Sequence, residues 1–214
     1  MDIQVFISQL KNELTKPLPG SPFQLQMSSL KRIRELMNGI NKDHAVKSSV
    51  LILLYPGQKS GSLLFALIQR PEYDGVHSGQ ISLPGGRFEE EDGDLTRTAL
   101  RESNEEIGIQ PEGVEIIGSL SELYIPPSNF MVYPFIGYTN VRPEFVPDKK
   151  EVENIIETDL ADLLNDKNIK TKEIKIRNGI KITAPCYEID GNIIWGATAM
   201  ILSEFREVIR LAGL

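Results

Sequence analysis

The chain reads as an α/β layered fold with a mixed sheet, and three observations predict it. Short apolar runs of strand length recur at residues 50–55, 63–68, 114–120 and 132–138, separated by Gly, Pro, Asn and Ser. Amphipathic stretches of helical period, at residues 3–14, 95–107 and about 197–211, are interspersed with these runs rather than segregated from them. The 214 residues, 41% hydrophobic and 25% charged, suit one domain with extra terminal elements and a sizeable core. Mixed strands with a few interspersed helices bury their apolar faces by stacking in layers.

In chain order, Ile3, Phe6, Ile7, Leu10 and Leu14 have helical spacing, and Pro17-Leu18-Pro19-Gly20 ends that helix. A second helix is expected near residues 30–37. Together they make an N-terminal helical extension over residues 1–45, with the principal domain over 46–214. The strands at 50–55 and 63–68 are joined by the turn Pro56-Gly57-Gln58-Lys59-Ser60-Gly61. Asp94 is placed to N-cap the helix at 95–107, and Gly108 to stop it in the left-handed conformation. Leu100, Ser103 and Ile107 share the face of this helix that packs. Pro126-Pro127-Ser128-Asn129 forms a loop between the next two strands. Residues 151–156 then read as a strand, 160–164 as a short helix, 174–176, 187–189 and 193–195 as strands, and 197–211 as a closing helix.

Composition excludes several functions. No apolar run approaches the roughly 20 residues of a membrane-spanning helix. Residues 1–14, MDIQVFISQLKNEL, lack the basic segment and cleavage site of a secretory signal, and Leu211-Ala212-Gly213-Leu214 is no peroxisomal address. Cys186 is the sole cysteine, which fits a reducing cytoplasm and reads as a small apolar side chain in a strand. A net charge of −7 argues against nucleic acid as a partner. It leaves an anionic small substrate open, because bound cations invert the local field.

The chemistry is carried by Arg101-Glu102-Ser103-Asn104-Glu105-Glu106-Ile107-Gly108-Ile109. At about 100° per residue, Glu105 lies roughly 60° to one side of Glu102 and Glu106 roughly 40° to the other. Three carboxylates this close resist ionising unless positive charge sits among them. Hard divalent cations with oxygen ligands, Mg²⁺ or Mn²⁺, supply it, and Gly85-Gly86 upstream can bring backbone close to the same ions. A solvated acidic face is the alternative, and for residues 89–92 it is the preferred one.

At these residues the chain resembles the Nudix hydrolase superfamily, whose signature is G-x5-E-x7-R-E-U-x-E-E-x-G-U with U bulky and aliphatic. Arg101 to Ile109 match it, except that Ser103 occupies a U position. Gly86 and Arg101 are separated by fourteen residues instead of thirteen, so the first glutamate has no strict match and Asp92 is the nearest candidate. The coenzyme A pyrophosphatase branch characteristically carries this longer loop. Its second pattern, L-L-T-x-R-(S/A)-x3-R-x3-G-x3-F-P-G-G, is met by Arg70, Gly79 and Pro84-Gly85-Gly86, whereas Pro71, Gly75 and Leu83 depart from it. Gly75 stands where an arginine would hold a ligand phosphate.

The resemblance implies a Nudix α/β/α sandwich with a mixed sheet, the N-terminal helices being additions. It implies a metal-dependent pyrophosphatase that cleaves coenzyme A or its derivatives to 3′,5′-ADP and 4′-phosphopantetheine, using Mg²⁺ or Mn²⁺. Glu102 and Glu106 are the expected metal ligands, with Glu105 a third ligand or part of the water network and the Gly85 carbonyl a backbone ligand. Glu102 doubles as candidate general base, and Arg101 orients the carboxylates. Glu151 is a further ligand by position, or else a solvated charge beside Lys149 and Lys150. Arg70, His77 and Gly86 are the expected substrate contacts. Arg70 is read as pairing with a phosphate outside the scissile anhydride, or else with Glu72 or Asp74; for His77 a structural hydrogen bond is the alternative. Trp195, Tyr187, Tyr124 and Phe130 are aromatic candidates for the pocket, with the core as their default, and His44 has no motif around it. Hydrolysis of ADP-ribose or a dinucleotide, and a non-catalytic nucleotide-sensing module, are the competing functions. A small nucleoside diphosphate derivative is the expected partner; neither nucleic acid nor membrane is expected, and a homodimer is allowed.

Overall fold

The computed structural model describes residues 2–30, 32–33, 44–59, 61–72, 78–175 and 179–214. After α1 (Ile3–Glu13) and the single turn α2 (Ser21–Gln24), the chain enters the sheet at β1 (Val46–Pro56). There follow β2 (Leu63–Gln69), β3 (Ile81–Ser82), β4 (Gly85–Arg87), α3 (Leu95–Ile107), β5 (Glu115–Ser119), β6 (Leu123–Ile125) and β7 (Phe130–Tyr138). The chain continues through β8 (Asn154–Asp159), α4 (Leu160–Leu164), β9 (Ile169–Lys175), β10 (Lys181–Ile189), β11 (Asn192–Trp195) and α5 (Gly196–Leu211).

β1 is the spine of an eight-stranded mixed sheet. It runs parallel to β7, in register from Val46 opposite Phe130 to Leu54 opposite Tyr138, and antiparallel to β2 and β4. β3 and β8 extend the sheet beyond β2, and β5 and β6 pair with β7. The two-residue period of the strands divides the core. Leu51, Leu53 and Tyr55 of β1, with Ala66 and Ile68 of β2, pack beneath Ala99 and Ile107 of α3. Ile52, Leu54, Phe65 and Leu67 face the other way, onto Phe6, Ile7 and Leu10 of α1 and Leu202, Phe205 and Ile209 of α5. A strand covered on both faces needs an unbroken apolar run, which explains Leu51 to Tyr55. The result is helix, sheet, helix: the layered sandwich the sequence predicts.

Capping chemistry sets the helix ends. Asp94 Oδ1 accepts the Arg97 N–H at 2.9 Å to start α3, and Gly108 ends it at φ +74°. Ser103 is fully buried with its hydroxyl unpartnered, a polar atom where the family signature has an aliphatic side chain. A second sheet, β9, β10 and β11, is antiparallel and leads into α5. Cys186 is buried on β10, and Tyr187 is a core residue.

The bounds of three strands are revised. The strand expected at 151–156 begins at Asn154, because the Glu151 and Val152 N–H groups both donate to Asp148 O in a turn (3.0 and 2.8 Å). β9 and β10 exceed the segments expected at 174–176 and 187–189, since exposed Lys and Thr leave no apolar run to read. Most of the helix expected near 30–37 lies outside the described residues. The N-terminal segment shares the main core: Glu204 of α5, fully buried, accepts hydrogen bonds from Gly20 N (3.1 Å), Ser121 N (3.2 Å) and Gln24 Nε2 (2.8 Å). Among the described residues no helix is long and apolar enough to cross a membrane.

Candidate active site

The site is built where α3 lies across β1 and β4. Gly85 and Gly86 pair with Val50 and Ser49 of β1. Gly85 adopts φ +144°, and a Cβ there would stand 2.2 Å from Ser49 O and 2.6 Å from Val50 Cα. Its N–H donates to Glu106 Oε2 at 2.8 Å. At Gly86 a Cβ would fall 2.4 Å from the carboxyl carbon of Glu102. The double glycine therefore does two separate jobs: Gly85 admits the β1 backbone, and Gly86 leaves room for a carboxylate of α3.

Glu106 is 2% exposed, buried although it lies off the helix face that carries Leu100, Ser103 and Ile107, so the alternative of a solvated acidic face does not hold for it. Burial is the main cause pushing its carboxyl up to about 7. Arg70, whose Nη2 lies 3.6 Å from Glu106 Oε1, and the Gly85 N–H work against burial, while Glu102 and Glu151 add to it. Glu102 is raised too, first by burial, with Arg101 opposing and the charges of Glu105 and Glu151 adding. The charges of Glu102, Glu106 and Glu151 thus act on one another across the site, with Arg70 and Arg101 offsetting them in part.

Arg101 is fully engaged. Nε and Nη2 donate to the two oxygens of Asp92 (2.6 and 3.0 Å), Nη2 also to Arg87 O (3.0 Å), and Nη1 to Glu105 Oε2 (3.0 Å). Nη1 lies 3.0 Å from Glu102 Oε1 as well. Asp92 in turn accepts the Thr98 hydroxyl and the Glu89 N–H. The bidentate Arg101 contact, above all, holds the Asp92 carboxyl down at about 2. The extra residue of the loop thus places a buried aspartate, instead of a glutamate, against the arginine behind the site.

A cleft of about 340 Å³ opens over this floor. Of the residues expected from sequence, Gly85, Gly86, Glu102, Glu106, Glu151 and Arg70 line it together. Arg101 stands behind Glu102, and Glu105 is held by Arg101 on the exposed side, outside the lining. Arg70 pairs with Glu106 and donates from Nε to Ser82 Oγ (3.3 Å); Asp74 and His77 lie outside the described residues. Phe130 lines the cleft, whereas Tyr124 is buried with its hydroxyl on Asn129 Oδ1 (2.9 Å), and Trp195 is not part of the lining. His44 offers its carbonyl to Asn129 Nδ2. Sequence reasoning missed the opposite wall, Ile125, Val132, Thr198 and Ile201, because an amphipathic helix and a short strand carry no chemical signature.

The carboxylates that line the cleft are oxygen donors, the kind that suit Mg²⁺ or Mn²⁺. Among the described residues no three acidic, His or Cys side chains form a ready metal-holding group. A pH dependence follows. Because folding raises the Glu106 carboxyl from 4.5 to about 7, its contribution to stability is fully present below pH 4.5 and is lost as pH rises through 7. The metal-free protein is expected to lose about 3 kcal/mol over that window from this group. Added Mg²⁺ should restore stability, and more so at pH 8 than at pH 5. Denaturant melts at both values, with and without Mg²⁺, check this; a metal effect equal at both would contradict it.

A helix that lays Glu102 and the buried Glu106 on a double-glycine strand inside an α/β/α sandwich defines the class of protein. The particular family follows from comparison: the NUDIX domain family matches residues 46–177, and the chain belongs to it. Nudix hydrolase 15, mitochondrial, of Arabidopsis thaliana is 35% identical over 162 residues, 73% of this chain and 56% of that protein. The human mitochondrial coenzyme A diphosphatase NUDT8 is 28% identical over 194 residues, 86% of this chain and 82% of that protein. The crystal structure of the Nudix hydrolase RenU from M. smegmatis shares the fold, with a TM-score of 0.54 and 16% identity over 78% of this chain and 87% of that one. The chain spans just over half the length of its plant relatives.

Proposed function

We propose that this protein is a divalent-metal-dependent pyrophosphatase that hydrolyses the diphosphate linkage of coenzyme A or its derivatives to 3′,5′-ADP and 4′-phosphopantetheine. The observation that carries the reading is the meeting of Glu102, Glu106 and Glu151 with Gly85 and Arg70 in one cleft. The coenzyme A substrate is supported by the longer loop, by Arg70, Gly79 and Pro84-Gly85-Gly86, and by the similarity to the human diphosphatase. We also propose residues 46–214 as the catalytic domain, with 1–45 as an added helical element, in a cytoplasmic setting.

Glu102, Glu106, Glu151 and the Gly85 carbonyl would hold Mg²⁺ or Mn²⁺. When bound, such ions neutralise phosphoryl oxygens and lower the pKa of water. Arg101, fixed by Asp92, holds Glu102 in place, and Glu102 is assigned both ligation and proton abstraction. Glu105 acts through Arg101 and through water. Ile125, Phe130, Val132 and Ile201 give the cleft an apolar wall that sheds water from the diphosphate and packs the uncharged part of the substrate.

The test is product analysis by mass after incubation with Mg²⁺ or Mn²⁺ and coenzyme A, ADP-ribose or dinucleotides. Faster turnover of ADP-ribose than of coenzyme A overturns the substrate. That second reading is favoured by Gly75 in place of an arginine and by the position of Arg70 beside Glu106, close to the scissile diphosphate. Accordingly, Arg70→Ala should lower turnover of both substrates by a similar thirty- to hundredfold, about 2–3 kcal/mol. A loss confined to coenzyme A, measured as kcat/KM on each, would instead place the 3′-phosphate at Arg70.

A further inference from the structure

The stretch that brings Glu151 to the cleft is not part of a regular element, yet it is tied at both ends. Helix α3 finishes with carbonyls that have no partner within the helix. Two of them are taken by the following strap: Val146 N donates to Ile107 O and Asp148 N to Glu106 O, each at 3.0 Å. Gly108 permits the approach, since a Cβ there would lie 2.9 Å from Val146 Cβ and 3.1 Å from its backbone N and O. Beyond the turn, Val152 is buried in the core beneath α3, and Glu153 N donates to Gln69 O (2.9 Å), beside Arg70. Glu151 therefore projects from a few residues held between the last turn of α3 and the end of β2.

Asp148 is the hub of this arrangement. Its N–H meets the carbonyl of Glu106, its own carbonyl receives the N–H groups of Glu151 (3.0 Å) and Val152 (2.8 Å), and its Oδ1 receives the Lys150 N–H (2.9 Å). We propose that Asp148 is a positioning residue, fixing the Glu151 carboxylate relative to that of Glu106 by shaping the turn between them. The proposal rests on the reading of Glu106 and Glu151 as ligands of one divalent-ion site. The Asp148 side chain is solvent-exposed, and its role is geometric: it gives the turn one shape, so that Glu151 reaches the cleft without first ordering a loop.

The experiment follows Mn²⁺ binding by electron paramagnetic resonance on the full chain without substrate. Asp148→Ala should weaken Mn²⁺ about tenfold. Asp148→Asn, which keeps an oxygen for the Lys150 N–H, should bind within about twofold of the parent. In a Glu151→Gln background, Asp148→Ala should add less than about a twofold further loss, because its effect runs through Glu151. An undiminished tenfold loss in that background would overturn the proposal, as would failure of Asp148→Asn to rescue binding, or unaltered Mn²⁺ affinity in Glu151→Gln alone. If the protein cleaves no coenzyme A, the substrate assignment falls while this result, read from the metal alone, still decides the role of Asp148.

Discussion

Glu106→Gln is expected to reduce turnover a thousandfold or more, about 4 kcal/mol of transition-state stabilisation, while the protein stays folded. The substitution keeps shape and an acceptor for the Gly85 N–H but removes the charge that would hold a cation. Because Glu106 is 2% exposed and its carboxyl is pushed up to about 7, the wild-type protein carries an unfavourable buried charge at pH 8 when no metal is bound. The metal-free variant should therefore be more stable than wild type at pH 8, by about 1–2 kcal/mol, and should lose much of the stability decline between pH 4.5 and 7. Steady-state turnover and denaturant melts of the same preparation measure both. Near-normal turnover would remove Glu106 from the site; an inactive variant that also melts without cooperativity would make it structural.

The neighbouring glycines should separate fold from function. Gly85→Ala forces a side chain into φ +144° and drives Cβ into the Ser49 and Val50 backbone, where nothing can yield cheaply. We expect a loss of about 3–5 kcal/mol, a fall of about 10 °C in Tm. Gly86→Ala meets only the end of the flexible Glu102 side chain, so Tm should fall by no more than a few degrees. Displacing that carboxylate by about 1 Å should nonetheless cost about a hundredfold in kcat. Calorimetry alongside kinetics would distinguish the two, and a Gly86→Ala enzyme with full activity would show that Glu102 has no fixed place in the reaction.

Local signals were strong at α3. Asp94, Gly108 and the apolar spacing between them gave both ends of that helix, since capping and helical period are short-range effects. The paired Glu102 and Glu106 were legible for the same reason. The environment of Glu106 was not: helical geometry puts it on one face with Glu102, but the pairing of β4 with β1 brings Gly85 over it and buries it. Glu151 was visible as an acidic residue at a plausible distance along the chain. That it belongs to a turn, rather than to the strand expected at 151–156, depends on the carbonyl of Glu106 and on Gln69, far from it in sequence.

The sequence by itself determined the layered α/β class, the carboxylate helix and its caps, and the family, because each is written in local periodicity or in a spacing of a few residues. The tertiary structure alone decided which charges face one another. It paired Asp92 with Arg101 across the lengthened loop, turned Arg70 onto Glu106, left Glu105 outside the cleft and supplied the apolar wall from β6, β7 and α5. Those contacts join residues distant in the chain, and their energies depend on burial, which is fixed only when the sheet and its two helical layers close on one another.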